Sequence, residues 1–305
     1  MSTQIRSDSL ATPPAEVEIS HELVQSLLSR QHPDLANLPL QIVDQGWDNV
    51  MFRLGNDFSI RLPRRTIAAT LIEHEQRWLP LIADQLPLSV PVPLRVGEPD
   101  EYYPWRWSIL PWLQGETADR SEPDALAAEP FANFLRALHL PAPSDAPRNP
   151  TRGAPLKERA AVDEKRMDRL SEKTHLITSD VRKIWNDALR AEIDIPLTWI
   201  HGDLHSRNIL VEGGAITGIL DWGDLALGDP ATDLVAVWML FSDSQVRQDV
   251  LKNYNPKISE QTVARAKGWA ISFGAVLLET GMNDHPAHAI IGERVLERVV
   301  EEVPS

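Results

Sequence analysis

The chain has 305 residues, with 30 Lys and Arg against 44 Asp and Glu, a net charge of −14. Its length points to about two domains or lobes, and 43% hydrophobic with 24% charged residues excludes disorder over most of it. The acidity disfavours a nucleic-acid partner, which needs clustered Lys and Arg; it suits a small, cationic substrate, or simply keeps the chain soluble.

Residues 1–18 are polar, hold two prolines and lack the apolar stretch of a secretion signal, so a loose tail is expected. Leu23, Leu27 and Leu28 predict a helix over 19–30, with Ser20 as its N-cap. Strands are predicted over 40–45, 49–54 and 58–62, joined by the turns 45–48 and 55–57. A helix is expected over 66–84, with Ile67, Leu71, Trp78, Leu79 and Ile82 as its apolar positions and Pro80 against it. Two more strands are read at 90–96 and 105–113, the first at an edge because of Pro91 and Pro93. The fold class is therefore α+β: an N-terminal lobe over 19–113 with a five-stranded antiparallel sheet and one inserted helix.

Residues 114–305 form a second, mostly helical lobe. A connector at 114–123 leads to helices over 124–139, 155–173 and 178–193, with a five-proline loop at 141–155. A short strand at 197–201 and a hairpin of 208–211 with 215–220 precede a helical remainder from about 232. The longest apolar run, 234–241, is too short to span a membrane, which takes about 20 residues. The chain has no cysteine, hence no disulfide, thiolate metal site or Cys nucleophile, which fits a cytoplasmic location.

The densest polar motif is His201-Gly202-Asp203-Leu204-His205-Ser206-Arg207-Asn208, followed by Asp221-Trp222-Gly223. Phosphoryl transfer from a nucleotide needs one carboxylate to accept the attacking hydroxyl's proton. It also needs an amide oxygen and a second carboxylate to hold Mg²⁺ against the phosphates. Asp203, Asn208 and Asp221 supply that set, the hairpin returning Asp221 towards Asn208, with a tight turn at Gly223. Two other readings use the same residues: His201, Asp203 and His205 as a metallohydrolase ligand set, or a capped loop of satisfied polar groups.

The two motifs at this spacing resemble the aminoglycoside phosphotransferase family, a branch of the protein-kinase-like fold, from about residue 40 to 240. The resemblance implies a two-lobed kinase fold with a nucleotide, ATP or GTP, in the cleft. It makes Asp203 the catalytic base, Asn208 and Asp221 the Mg²⁺ ligands, and His201 a brace for the catalytic loop. Asp229 and Asp233 are read as structural, Asp233 receiving backbone N–H groups near His201. Gly46 and Asn49 fall in the phosphate-covering turn, which has a single glycine. Arg61 stands where the family usually has Lys. Glu75 is its expected partner, with Glu73 in reserve. The Pro111 carbonyl and the Leu113 N–H are the expected adenine contacts, with Ile42, Ile60 and Ile109 around the base. Trp105, Trp107 and Trp112 cluster near this hinge.

From His201 to Ser305 there are 15 acidic and 8 basic side chains, and Asp243, Glu279 and Asp284 are candidate contacts to an aminoglycoside or amine alcohol. A metabolite kinase of choline, ethanolamine or sugar type, and a nucleotide-binding protein with weak catalysis, are the alternatives. No Ala-Pro-Glu segment follows Asp221-Trp222-Gly223, which argues against peptide substrates. Oligomeric state is not readable from the sequence.

Overall fold

Alternation decides the first half of the chain. The computed structural model describes residues 14–46, 48–283 and 285–301; most of the expected tail lies outside them. α1 (His21–Gln31) starts where the Ser20 hydroxyl accepts the Leu23 N–H at 3.2 Å. It buries Val24, Leu27 and Leu28 against the sheet that follows. β1 (Leu40–Gln45), β2 (Asn49–Leu54), β3 (Phe58–Pro63), β4 (Arg95–Gly97) and β5 (Trp107–Pro111) make an antiparallel sheet in the order β1-β2-β3-β5-β4.

Successive side chains point to opposite faces. Phe52, Ile60 and Ile109 are register partners and join the core under α1, with Tyr103 and Trp107. Met51, Arg61 and Ser108 are register partners on the other face. β4 is shorter than predicted: the strand starts only at Arg95, because Pro91 and Pro93 have no N–H for a ladder. α2 (Thr66–Ile82) keeps Pro80 within its last turn, where only two helical residues follow.

The second half is helical around a small β element. α3 (Ala128–Leu138), α4 (Ala160–Ser171) and α5 (Ser179–Arg190) precede β7 (Thr198–Ile200), and α6 (Ala236–Leu240), α7 (Ser244–Tyr254), α8 (Glu260–Gly281) and α9 (Pro286–Val300) close the chain. β7 pairs with β10 (Ala226–Gly228), and β8 (Ile209–Glu212) and β9 (Ala215–Ile219) form the predicted hairpin. The connector is not bare coil: β6 (Glu116–Thr117) adds a third strand beside β8. α2 ties the halves together. Its end residues Trp78, Leu79 and Ile82 belong to the helical core, where Trp78 meets Trp199 at 5.4 Å.

Candidate active site

The loop after β7 is shaped by one buried carboxylate. Asp233, with no exposed surface, accepts the His201 N–H at 2.6 Å and the Gly202 N–H at 2.8 Å. His139 Nε2 lies 3.2 Å from the same side chain. Gly202 has φ +83°, and a Cβ there would stand 2.9 Å from the Asp224 carbonyl, so this position needs glycine. Asp233→Asn would turn an amide N–H2 towards a buried N–H donor. It is expected to lower stability by about 2 kcal/mol, read as a shift in the denaturant midpoint.

Both ring nitrogens of His201 are engaged. Nδ1 accepts the Asp203 N–H at 3.2 Å, and Nε2 donates to the Leu220 carbonyl at 2.9 Å. The metallohydrolase reading of His201, Asp203 and His205 therefore fails. Among the described residues no group of three or more His, Asp or Glu is placed to hold a metal. Mg²⁺ asks for less from a protein: one or two hard oxygen ligands, the rest coming from phosphates and water.

Asn208 and Asp221 provide oxygens of that kind at one end of the hairpin. Ile209 pairs with Ile219, and the Leu220 N–H donates to the Asn208 carbonyl at 2.8 Å, so residues 208 and 221 are brought to the same end. Asn208 Nδ2 donates to the Asp203 carbonyl at 2.9 Å, which fixes the amide. Asp221 has φ +58°, the one positive value at a non-glycine among the described residues; such a conformation costs about 1–2 kcal/mol and marks sites where geometry outweighs comfort. The tight turn is thus at Asp221. Gly223 serves close approach instead: a Cβ there would lie 3.1 Å from Arg61 Nη2 and 3.2 Å from Leu71 Cβ.

Arg61 enters from the sheet and forks. Nη1 donates to Glu75 Oε2 at 2.7 Å and Nη2 to Asp221 Oδ1 at 2.6 Å. The Asn49 carboxamide, assigned with its oxygen towards Arg61 because the opposite orientation would face donors with its N–H2, accepts from Nε and Nη2 at 3.2 Å each. Glu75 is fully buried and also accepts the Trp222 N–H at 3.1 Å, whereas Glu73 is exposed. Burial alone would pull the Arg61 guanidinium down, but Asp221 and Glu75 outweigh it and hold the group firmly protonated.

The other candidates of the sheet lobe are placed as follows. The Gly46 N–H donates to the Asn49 carbonyl at 2.9 Å and its carbonyl accepts from Arg64 Nη1 at 3.0 Å, so Gly46 closes its turn and offers no N–H to a phosphate here. Asn49 likewise faces Arg61. Ile60 and Ile109 lie on the α1 side of the sheet, away from Arg61, because even-numbered positions of β3 alternate with it; Ile42 is 54% exposed. Pro111 ends β5 opposite Phe58, and Leu113 lies over β9, 3.1 Å from where a Gly218 Cβ would sit. The three tryptophans pack: Trp105 on Tyr103, Trp107 in the sheet core, Trp112 beside Arg53.

Of the acidic candidates for the acceptor wall, Asp243 and Glu279 are engaged within the fold. Asp243 caps α7 through the Gln245 N–H. Glu279 is gripped by Arg166 at 2.9 Å and Arg169 at 2.7 Å. Burial would raise its carboxyl, but the two guanidinium groups hold it below the usual range. Asp284 lies outside the described residues.

One residue at the site carried no sequence signal. Arg152, in the five-proline loop, places Nη2 3.0 Å from Asp203 Oδ1.

A sheet lobe bearing an Arg–Glu pair, above a helical lobe that presents Asp203, Asn208 and Asp221 to it, is a protein-kinase-like architecture. Residues 39–269 match the phosphotransferase enzyme family, APH, and the chain belongs to that family. Among solved structures it is similar to the GDP complex of wild-type aminoglycoside 2'-phosphotransferase-IIIa, with TM-score 0.65, 17% identity, and coverage of 91% of this chain and 97% of that one. It is also similar to the streptomycin-ATP-APH(2")-IIa ternary complex, with TM-score 0.58, 17% identity, and coverage of 86% and 90%. Macrolide 2'-phosphotransferase MphH from Brachybacterium faecium matches with TM-score 0.57, 18% identity, and coverage of 90% and 97%. At these identities the likeness is one of fold. An uncharacterized protein of Bacillus subtilis (strain 168), YcbJ, is 29% identical over 94 residues, covering 28% of this chain and 30% of that protein. No helix among the described residues is long and apolar enough to cross a membrane.

Proposed function

We propose that the protein transfers the γ-phosphoryl group of ATP or GTP to a hydroxyl of a small molecule, with Mg²⁺. The observation that carries this reading is the bonded chain Glu75–Arg61–Asp221, set at the open end of the hairpin whose other end residue, Asn208, is fixed on the Asp203 backbone. The acceptor oxygen bonds to the γ-phosphorus, the bond to the β-phosphate oxygen breaks, and the nucleoside diphosphate leaves. The hydroxyl proton passes to the Asp203 carboxylate. Arg61, held by Glu75, supplies fixed positive charge for the α- and β-phosphates. Asn208 and Asp221 are the oxygen donors for Mg²⁺, which when bound neutralises phosphate charge. Pro111 and Leu113 offer main-chain groups to the base.

Two similar structures hold the aminoglycosides kanamycin and gentamicin, and a third is a macrolide 2'-phosphotransferase. The engagement of Glu279 and Asp243 favours acceptors with few ammonium groups, a macrolide or an amine alcohol or sugar, over polycationic aminoglycosides. The test is a transfer screen over aminoglycosides, macrolides, amine alcohols and sugars with both nucleotides, with and without Mg²⁺. Cation-dependent transfer to one class is expected; nucleotide binding without transfer to any class would make this a non-catalytic member. Asp221→Asn keeps a side chain that tolerates the left-handed backbone but removes the charge. Mg²⁺-dependent nucleotide affinity is expected to fall at least ~10-fold by titration, and an unchanged affinity would remove Asp221 from the ligand set.

A further inference from the structure

We infer that Arg152 is a positioning residue for Asp203, and that the loop carrying it is built for that task; this rests on the reading of Asp203 as the base. Arg152 is 8% exposed and its guanidinium stacks on Phe273 of α8, 3.9 Å from the ring centre. Among the described residues, its one hydrogen bond to a side chain goes to Asp203 Oδ1. Nε and Nη1 are buried with no hydrogen-bond partner among the described residues. A buried arginine kept in that condition gives up hydrogen bonding worth having, which is a cost that a purely structural residue avoids.

The backbone around it is pinned. Asn149 Oδ1 accepts the Thr151 and Arg152 N–H groups at 2.9 Å each, and its Nδ2 donates to Asp224 Oδ1 at 2.6 Å. The Thr232 hydroxyl donates to the Arg152 carbonyl at 3.2 Å. Asp224 follows Asp221 by three residues, so one asparagine references Arg152 to the turn that carries a proposed metal ligand. Arg152 holds Asp203 Oδ1, and Oδ2 lies 3.5 Å from His205 Nε2. Fixing Oδ1 removes rotation of the carboxylate, so Oδ2 meets the acceptor hydroxyl in one orientation. A freely turning carboxylate would spend most of its time misaligned, and sub-ångström misplacement of a catalytic group costs rate rather than binding.

The test compares wild type, Arg152→Met and Arg152→Lys. Turnover of Mg·ATP and Mg·GTP is measured with the best acceptor of the screen and with water as acceptor. Rates are normalised to the number of Mg·nucleotide sites found by titration, which discounts misfolded chains. The expected result is a kcat at least ~30-fold lower in Arg152→Met, nucleotide affinity within about threefold of wild type, and partial recovery in Arg152→Lys. Placed in an Asp203→Asn background, Arg152→Met is expected to add less than about threefold, because its effect runs through Asp203. A normalised kcat within threefold of wild type, or an equal loss in both backgrounds, would overturn the inference while leaving the phosphotransferase reading intact. Wild-type turnover in Asp203→Asn itself would instead remove the base on which the inference stands.

Discussion

Asp203→Asn is expected to lower phosphoryl transfer by about 10²–10⁴-fold while leaving nucleotide affinity within about threefold. The asymmetry follows from what the side chain touches. Its carboxylate is bonded to Arg152 and lies near His205, and an amide keeps the acceptor that Arg152 needs. The tie to Asn208 runs through the Asp203 main-chain carbonyl, which the substitution does not alter. The His201 ring likewise holds the Asp203 N–H, not its side chain. What the amide lacks is the capacity to take a proton, and a positioned base contributes a factor of this size. The check is steady-state transfer beside a nucleotide titration on the same preparation. A kcat within tenfold of wild type would exclude Asp203 as the base.

The split between what the sequence showed and what it hid has a physical basis. Strand existence came through because β2 alternates in burial, β3 alternates Phe, Ile and Leu with Ser and Arg, and both are bounded by turn residues. The hairpin came through because Gly213 and Gly214 both take positive φ between two apolar runs. Motif spacing exposed Asp203, Asn208 and Asp221 because Asn208 and Asp221 flank one β-hairpin and Asp203 precedes it by a few residues, where distance along the chain limits distance in space. Arg152 is 51 residues from Asp203 and sits in a proline-rich loop with no periodicity, so nothing local announces it. Apolarity alone groups Ile42, Ile60 and Ile109 around the base, without regard to the face each one takes. Arg61 at an odd position puts Ile60 on the opposite side of the sheet. Glu279 is taken up for a similar reason: the tally over 201–305 counts it but not Arg166 and Arg169, which reach it from α4.

The replacement of the family's lysine by Arg61 was the departure whose consequence the sequence left open, and the geometry makes it specific. Three separate nitrogens of one guanidinium address Glu75, Asp221 and Asn49. An ammonium is a single point on a flexible stem and does not reproduce that fork. Arg61→Met would leave Glu75 buried, with Oε2 still facing the Trp222 N–H but with no cation beside it. Breaking a buried pair from one side costs about 3–5 kcal/mol, because the remaining carboxylate must either stay charged in an apolar setting or take up a proton. At about 2 °C per kcal/mol for a chain of this size, the melting temperature is expected to fall by roughly 6–10 °C. Nucleotide affinity is expected to fall at least ~10-fold in parallel, since the charge proposed for the phosphates is gone. Adding Glu75→Gln to Arg61→Met separates the two effects. The neutral amide needs no cation, so most of the lost stability should return while nucleotide affinity stays low. If the double variant melts no higher than Arg61→Met, the buried carboxylate is not the origin of the loss. If Arg61→Met binds nucleotide like wild type, Arg61 does not face the phosphates.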